Sequence, residues 1–150
     1  MASGTILRQI TGKGTKLAYY ILNTNKSNSE EDDYYMLKEE KVAAFFDPWK
    51  YKIEQIKKGD TVFLYRSGEG IVAIGTANGI IEKRPYQNDE KHIDEEYCQC
   101  LSDFQRLSNP VSAGTIKLVT GIGHNLRSVL SSLDEDAGRK LHVHLTGTSE

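Results

Sequence analysis

The chain has 150 residues, 38% of them hydrophobic, and a formal net charge of −2 at pH 7, the size of one domain that buries roughly 70% of its unfolded surface. That charge excludes a phosphate binder working through overall basicity, and no run approaches the roughly 18 apolar residues needed to span a bilayer. The opening Met1-Ala2-Ser3-Gly4 lacks a basic segment followed by an apolar one, so a cytoplasmic protein is expected, folded as one α+β domain over 1–150 with 1–15 and 147–150 flexible.

After the turn signal Gly12-Lys13-Gly14, residues 17–22 form a short apolar run with aromatic and branched members, and read as a buried strand. Residues 23–29 are a polar loop of backbone-bonding side chains. The acidic run 30–33 suits the positive end of a helix, and 34–46 carries Tyr35, Met36, Val42 and Phe45 among charged neighbours, which predicts a helix. Asp47-Pro48 repeats a helix start, with Asp47 as cap, and predicts a second helix over 48–57 that ends at Lys57-Lys58-Gly59. Two apolar runs joined by Ser67-Gly68-Glu69-Gly70 predict a hairpin of central strands, with Gly75 and Gly79 permitting a bend. A further strand is expected over 93–107, a turn at Asn109-Pro110, a short helix over 112–118 and a last helix over 134–145. No internal repeat is visible.

Catalytic patterns are weak. There is no nucleophile elbow or phosphate loop, and Gly68-Glu69-Gly70 joins two strands instead of opening a helix. No catalytic residue is assigned; a small hydrolase or nuclease would have to use His124 or His142 with an acidic partner. Cys98 and Cys100, two apart in a strand, suit neither a disulfide nor a zinc site, so no metal ligand and no cofactor is assigned. The aromatic residues carry more. Tyr20, Trp49 and Tyr65 are suited to hold a flat ligand by stacking, with Asn23, Thr24, Asn25 and Ser67 reading its edge; the plainer reading makes the same aromatics core residues. Lysines and arginines at 50, 52, 57, 58, 66, 83 and 84 are a local basic face or a solvated surface.

The segment Ile56-Lys57-Lys58-Gly59-Asp60-Thr61-Val62-Phe63-Leu64-Tyr65-Arg66-Ser67-Gly68, continuing as Gly70-Ile71-Val72-Ala73-Ile74-Gly75, resembles the EVE family of PUA-like domains. There a Lys-x-Gly-Asp turn leads into a Val-Phe-Phe-Tyr-x-Ser strand and then an Ile-Val-Gly-Ile-Gly strand. The likeness is strongest over 43–79, and it departs at Ala73, where glycine is common, and at Asp47-Pro48-Trp49, where an aromatic-Gly pair is typical. The resemblance implies a small, mostly antiparallel PUA-like β-barrel flanked by helices, related to the YTH readers of N6-methyladenine. It also implies a reader of modified bases in DNA, of the kind fused to or partnered with a nuclease or ATP-driven translocase in modification-dependent restriction.

By position, the base pocket would comprise Tyr20, Asn23, Thr24, Phe46, Trp49, Tyr65 and Ser67, and the phosphate contacts Lys50, Lys52, Arg66, Lys83 and Arg84. The expected partner is modified duplex DNA carrying 5-methylcytosine or 5-hydroxymethylcytosine, with the base flipped into the pocket. A PUA-like RNA binder and a protein-interaction module whose aromatics are only core are the alternatives from other classes.

Overall fold

Leu22, Val62 and Leu64 pack on one side of a sheet while Ile21, Phe63 and Tyr65 pack on the other, the alternation that extended chain imposes. The computed structural model describes residues 17–147; the Gly12-Lys13-Gly14 turn and the ends 1–16 and 148–150 lie outside the described residues. In chain order the elements are β1 (Tyr19–Asn23), α1 (Glu30–Glu39), β2 (Lys41–Phe45), a 3-10 helix (Trp49–Gln55), β3 (Thr61–Arg66) and β4 (Gly70–Ala77). There follow β5 (Glu82–Arg84), 3-10 turns at Tyr86–Asn88 and Glu90–His92, β6 (Glu96–Val111), α2 (Ala113–Thr120), β7 (Leu130–Leu133) and α3 (Glu135–Thr146).

The strands form one sheet in the order β2-β6-β4-β3-β1-β7, with β5 also on β6. Only β1 and β3 run parallel. The predicted hairpin is present, and its two strands are central, as their unbroken apolar runs require. Register shifts at Leu64/Tyr65, Ile71/Ala73 and Ile74/Thr76 curl the sheet into a half-barrel. Gly75 lies in the last shift, where a Cβ would stand 2.8 Å from Leu101 Cβ, so the glycine lets β6 cross closely. One face is packed by Met36, Leu37, Val42 and Ile53, and the other by Ile116, Ala137 and Leu141 of α2 and α3. No helix among the described residues is long and apolar enough to cross a membrane.

The Lys-x-Gly-Asp turn has a local cause. Asp60, buried, accepts from Lys57 N at 2.7 Å and from Ala18 N at 2.9 Å, tying the turn to the start of β1, while Gly59 takes the left-handed φ of 91°.

Four expectations are corrected. The helix over 34–46 is α1, starting at the Ser29 cap and ending at Glu39, because Glu40 turns left-handed (φ 56°) and residues 41–45 pair antiparallel with β6 instead. Pairing with a strand distant in the chain overrides the helical tendency of Ala43 and Ala44. Asp47 does not cap the next helix: Pro48 occupies the cap position without a side-chain bond, the Asp47-Pro48 peptide is cis, and the helix is 3-10 over Trp49–Gln55. Asn109-Pro110 is no turn but lies inside β6. Between the pairs Ala73↔Arg106 and Ile71↔Val111, β4 advances two residues and β6 five, so the proline occupies a bulge that needs no ladder N–H. Finally, β5 and β7, which were not anticipated, flank the sheet.

Both cysteines are free, Cys98 buried and Cys100 half-buried. Cys98 is paired between Ala43 and Glu82, beside a buried chain in which Lys41 Nζ donates to Tyr35 Oη (3.1 Å) and Tyr35 donates to Glu96 Oε2 (2.6 Å). Burial, then the Glu96 charge, pushes the Cys98 thiol up to about 12, and burial and the Glu96 bond raise the Tyr35 phenol in the same direction. The folded groups therefore keep protons that the unfolded chain loses first. The stability they contribute is complete below about pH 8.5, the ordinary thiol value, and falls as pH rises toward about 12. Iodoacetamide at about pH 8.5 is expected to label Cys100 while sparing Cys98, and the urea midpoint should fall on going to more alkaline pH. Equal labelling of the two thiols in folded protein would contradict this.

Candidate functional site

The end of β1, the loop that follows it and the segment after β2 enclose a cavity of about 430 Å³. Its aromatic wall comes from Phe45, Phe46, Trp49 and Tyr86, its floor from the small residues Ala43 and Ala44 of β2, and its polar wall from Asn23, Asn25, Asn28 and Asp32. Tyr86 meets Phe45 and Phe46 edge to face, with ring centroids 5.1 and 4.8 Å apart, and His92 meets Phe46 at 5.5 Å. Trp49 is 52% exposed, so much of its ring is left uncovered beside the cavity.

Phe46 is held in the left-handed region (φ 66°), a strained position for an aromatic residue. Its N–H donates to Glu95 O and its carbonyl accepts from Lys50 N, both at 2.8 Å. Lys50 Nζ in turn donates to Asp94 O and Glu95 Oε1, both at 3.0 Å. These bonds tie Phe46 and Lys50 to the 94–95 segment.

The polar wall is equally organised. Asn25 (φ 68°) is its hub: its N–H donates to Asn23 Oδ1 at 2.8 Å, its Nδ2 to Asp32 Oδ2 at 2.9 Å, and its Oδ1 accepts from Asn28 Nδ2 at 2.8 Å. Asn23 Nδ2 donates to Leu126 O at 2.8 Å, which brings 126–129 and the exposed Arg127 to the rim. Tyr86 donates its hydroxyl to Asp32 Oδ2 at 3.1 Å, and burial, then the Asp32 charge, raises this phenol above the ordinary range.

Of the seven pocket residues expected from sequence, Asn23, Phe46 and Trp49 meet at this cavity and four do not line it. Tyr20 lies toward the other end of β1, its hydroxyl donating to Gln55 O at 3.1 Å. Thr24 is fully buried and donates to Asp33. Tyr65 points to the helix-packed face with Phe63, because it is one residue out of phase with Leu64. Ser67 accepts from Asn23 Nδ2 at 3.4 Å behind the wall.

The expected phosphate contacts divide as well. Lys50 is spent on Asp94 and Glu95, and Arg66 is paired with Asp33 (3.0 Å) and Glu69 (3.2 Å), so both serve the fold. Lys52, Lys83 and Arg84 are exposed but off the cavity lining; the Lys83 ammonium lies 5.2 Å over the Tyr97 ring and Arg84 is 3.7 Å from Glu82. Arg127, which the sequence did not single out, is the cation on the lining and has no ion pair among the described residues.

Tyr86 and Asp32 were also missed. Tyr86 had a signal, as an aromatic residue isolated in the polar stretch 82–92. Asp32 was masked by its neighbours in the acidic first turn of α1, and Arg127 had no local signal. The two histidines lie elsewhere: His124 Nε2 is 3.4 Å from Thr120 Oγ1 after α2, and His142 of α3 shares a separate hollow with Asp103.

No family model matches the chain, and no curated protein matches it in sequence. In structure it is similar to a hypothetical protein from Leishmania major, at TM-score 0.62 and 11% identity over 90% of this chain and 98% of that one. It is similar also to a protein from Pseudomonas putida, at TM-score 0.54 and 14% identity over 85% and 99% of the two chains. A third, from Rhodopseudomonas palustris, has TM-score 0.53 and 18% identity over 87% and 94%. At these identities the likeness is one of fold.

Proposed function

We propose that this protein is a PUA-like reader of the EVE kind, a nucleic-acid-binding module that takes an unstacked, modified base of DNA into the aromatic cavity. The base is 5-methylcytosine or 5-hydroxymethylcytosine, and the module serves as the recognition part of a modification-dependent restriction system whose nuclease or ATPase acts in the same or a partner chain. The observation that carries this reading is the half-exposed Trp49 beside a cavity already walled by Phe46 and Tyr86. Its volume, about 430 Å³, falls in the range of small-ligand sites. The curled antiparallel sheet and the EVE-like segment over 43–79 support it further.

The energetics are coherent. Flipping a base out of a duplex costs a few kcal/mol, and stacking returns about 1 to 3 kcal/mol per base. A base methyl against Ala43, Ala44 or Val129 adds about 0.8 kcal/mol. With Lys50 and Arg66 engaged, Arg127 at the rim is the cation placed to meet the flipped nucleotide's phosphate.

Fluorescence anisotropy with duplexes carrying cytosine, 5-methylcytosine, 5-hydroxymethylcytosine or N6-methyladenine at one central position tests the reading. One of the modified cytosines is expected to bind about fourfold above cytosine, the ratio to which about 0.8 kcal/mol corresponds. Equal affinity across the panel, or stronger binding of structured RNA, would overturn it.

A further inference from the structure

The amides of the polar wall are tied largely to one another and to the backbone. Asn23 Nδ2 donates to Leu126 O and Ser67 Oγ, Asn25 Nδ2 to Asp32 Oδ2, and Asn28 Nδ2 to Asn25 Oδ1. The acceptor with the most unused capacity on that wall is Asp32. Its side chain lines the cavity although the residue is only 2% exposed. Oδ2 accepts from Asn25 Nδ2 at 2.9 Å and Tyr86 Oη at 3.1 Å, whereas Oδ1 receives only a long 3.4 Å contact from Gln87 Nε2. Among the described residues no lysine, arginine or histidine pairs with it. A buried carboxylate with an underused oxygen and no counter-ion favours a bound donor and penalises a ligand that presents another acceptor there.

We infer that the cavity selects rings bearing an exocyclic amino group, a 4-aminopyrimidine or 6-aminopurine, whose N–H donates to the Asp32 carboxylate while the ring stacks against the aromatic wall. The inference rests on the reader function proposed above and adds the chemical edge that is read. Stacking alone accepts any base, because every base has a π-face. A buried acceptor left unpaired is what gives a site large discrimination.

The test removes the amino group with the base set opposite an abasic site in every duplex, so that pairing strength does not change with it. Binding of wild-type protein is compared between duplexes carrying 5-methylcytosine and 5-methyl-2-pyrimidinone, and between duplexes carrying adenine and purine, which lacks the 6-amino group. In at least one pair the amino-bearing ring is expected to bind about tenfold or more tightly, and in Asp32→Asn, with its fold checked by circular dichroism, that ratio should fall below about threefold. Wild type that binds both members of each pair equally overturns the inference and leaves the reader function standing. An undiminished preference in Asp32→Asn also overturns it, since Asp32 would not be the acceptor. Failure to bind any of the four duplexes overturns both. The wild-type comparison decides without the variant should Asp32→Asn not fold.

Discussion

Replacing Trp49 with alanine is expected to weaken binding of the preferred duplex while leaving the fold intact. The side chain is 52% exposed and makes no hydrogen bond among the described residues, so its removal sacrifices little packing. A single stacking ring is worth about 1 to 3 kcal/mol, a loss of about five- to 150-fold in affinity. The check pairs anisotropy on the preferred duplex with a urea melt. A midpoint unchanged from wild type, together with weakened binding, is the expected result; unaltered affinity would remove Trp49 from the site, and unfolding would make it a core residue. Phe46→Ala is less clean, because that residue packs on Tyr86 and is tethered through its backbone to Glu95.

The largest stability effect is expected at Arg66. Its guanidinium meets Asp33 through Nε (3.1 Å) and Nη2 (3.0 Å) and Glu69 through Nη1 (3.2 Å), while Glu69 also holds Lys26 at 2.8 Å. Asp33 is buried at 5% and shares its carboxylate with Thr24. Arg66→Ala strands that carboxylate without a counter-charge. The cost should be about 3 kcal/mol, the low end for a broken buried pair, because the Arg66 side chain keeps 19% of its surface in water. The same bonds close the 24–29 loop against the end of β3, so binding should weaken along with stability. Had Arg66 been a phosphate ligand, as its place in the sequence suggested, the substitution would lower DNA affinity and flatten its salt dependence with no change in the urea midpoint. Parallel melts and salt titrations of wild type and Arg66→Ala separate these outcomes.

Much of the architecture was legible. The hairpin of β3 and β4, the first strand, the glycine bend and the capped helices α2 and α3 all rest on local rules: apolar runs, turn glycines, and a serine or aspartate before a helix. The elements that were misread are those whose partner is remote. Residues 41–45 look helical until β6 is present to pair with them, and β5, with the sequence Glu82-Lys83-Arg84, has no apolar pattern to announce a strand. Asn109-Pro110 looks like a turn until the register of β4 against β6 leaves a bulge for it.

The site divides along the same line. Composition and spacing left Tyr20, Trp49 and Tyr65 open between core and ligand roles, and it was the resemblance that placed a pocket at the end of the first strand and the Trp49 segment. Which of them share one cavity was decided only by tertiary structure. The phase of β3 turns Tyr65 to the helix-packed face, ion pairing withdraws Arg66 and Lys50 into the framework, and closure of the sheet brings Tyr86, Asp32 and Arg127 from distant parts of the chain to face Trp49. Local chemistry sets what a residue can do, but the direction a side chain points depends on register and on which charges find each other, and both are properties of the folded whole.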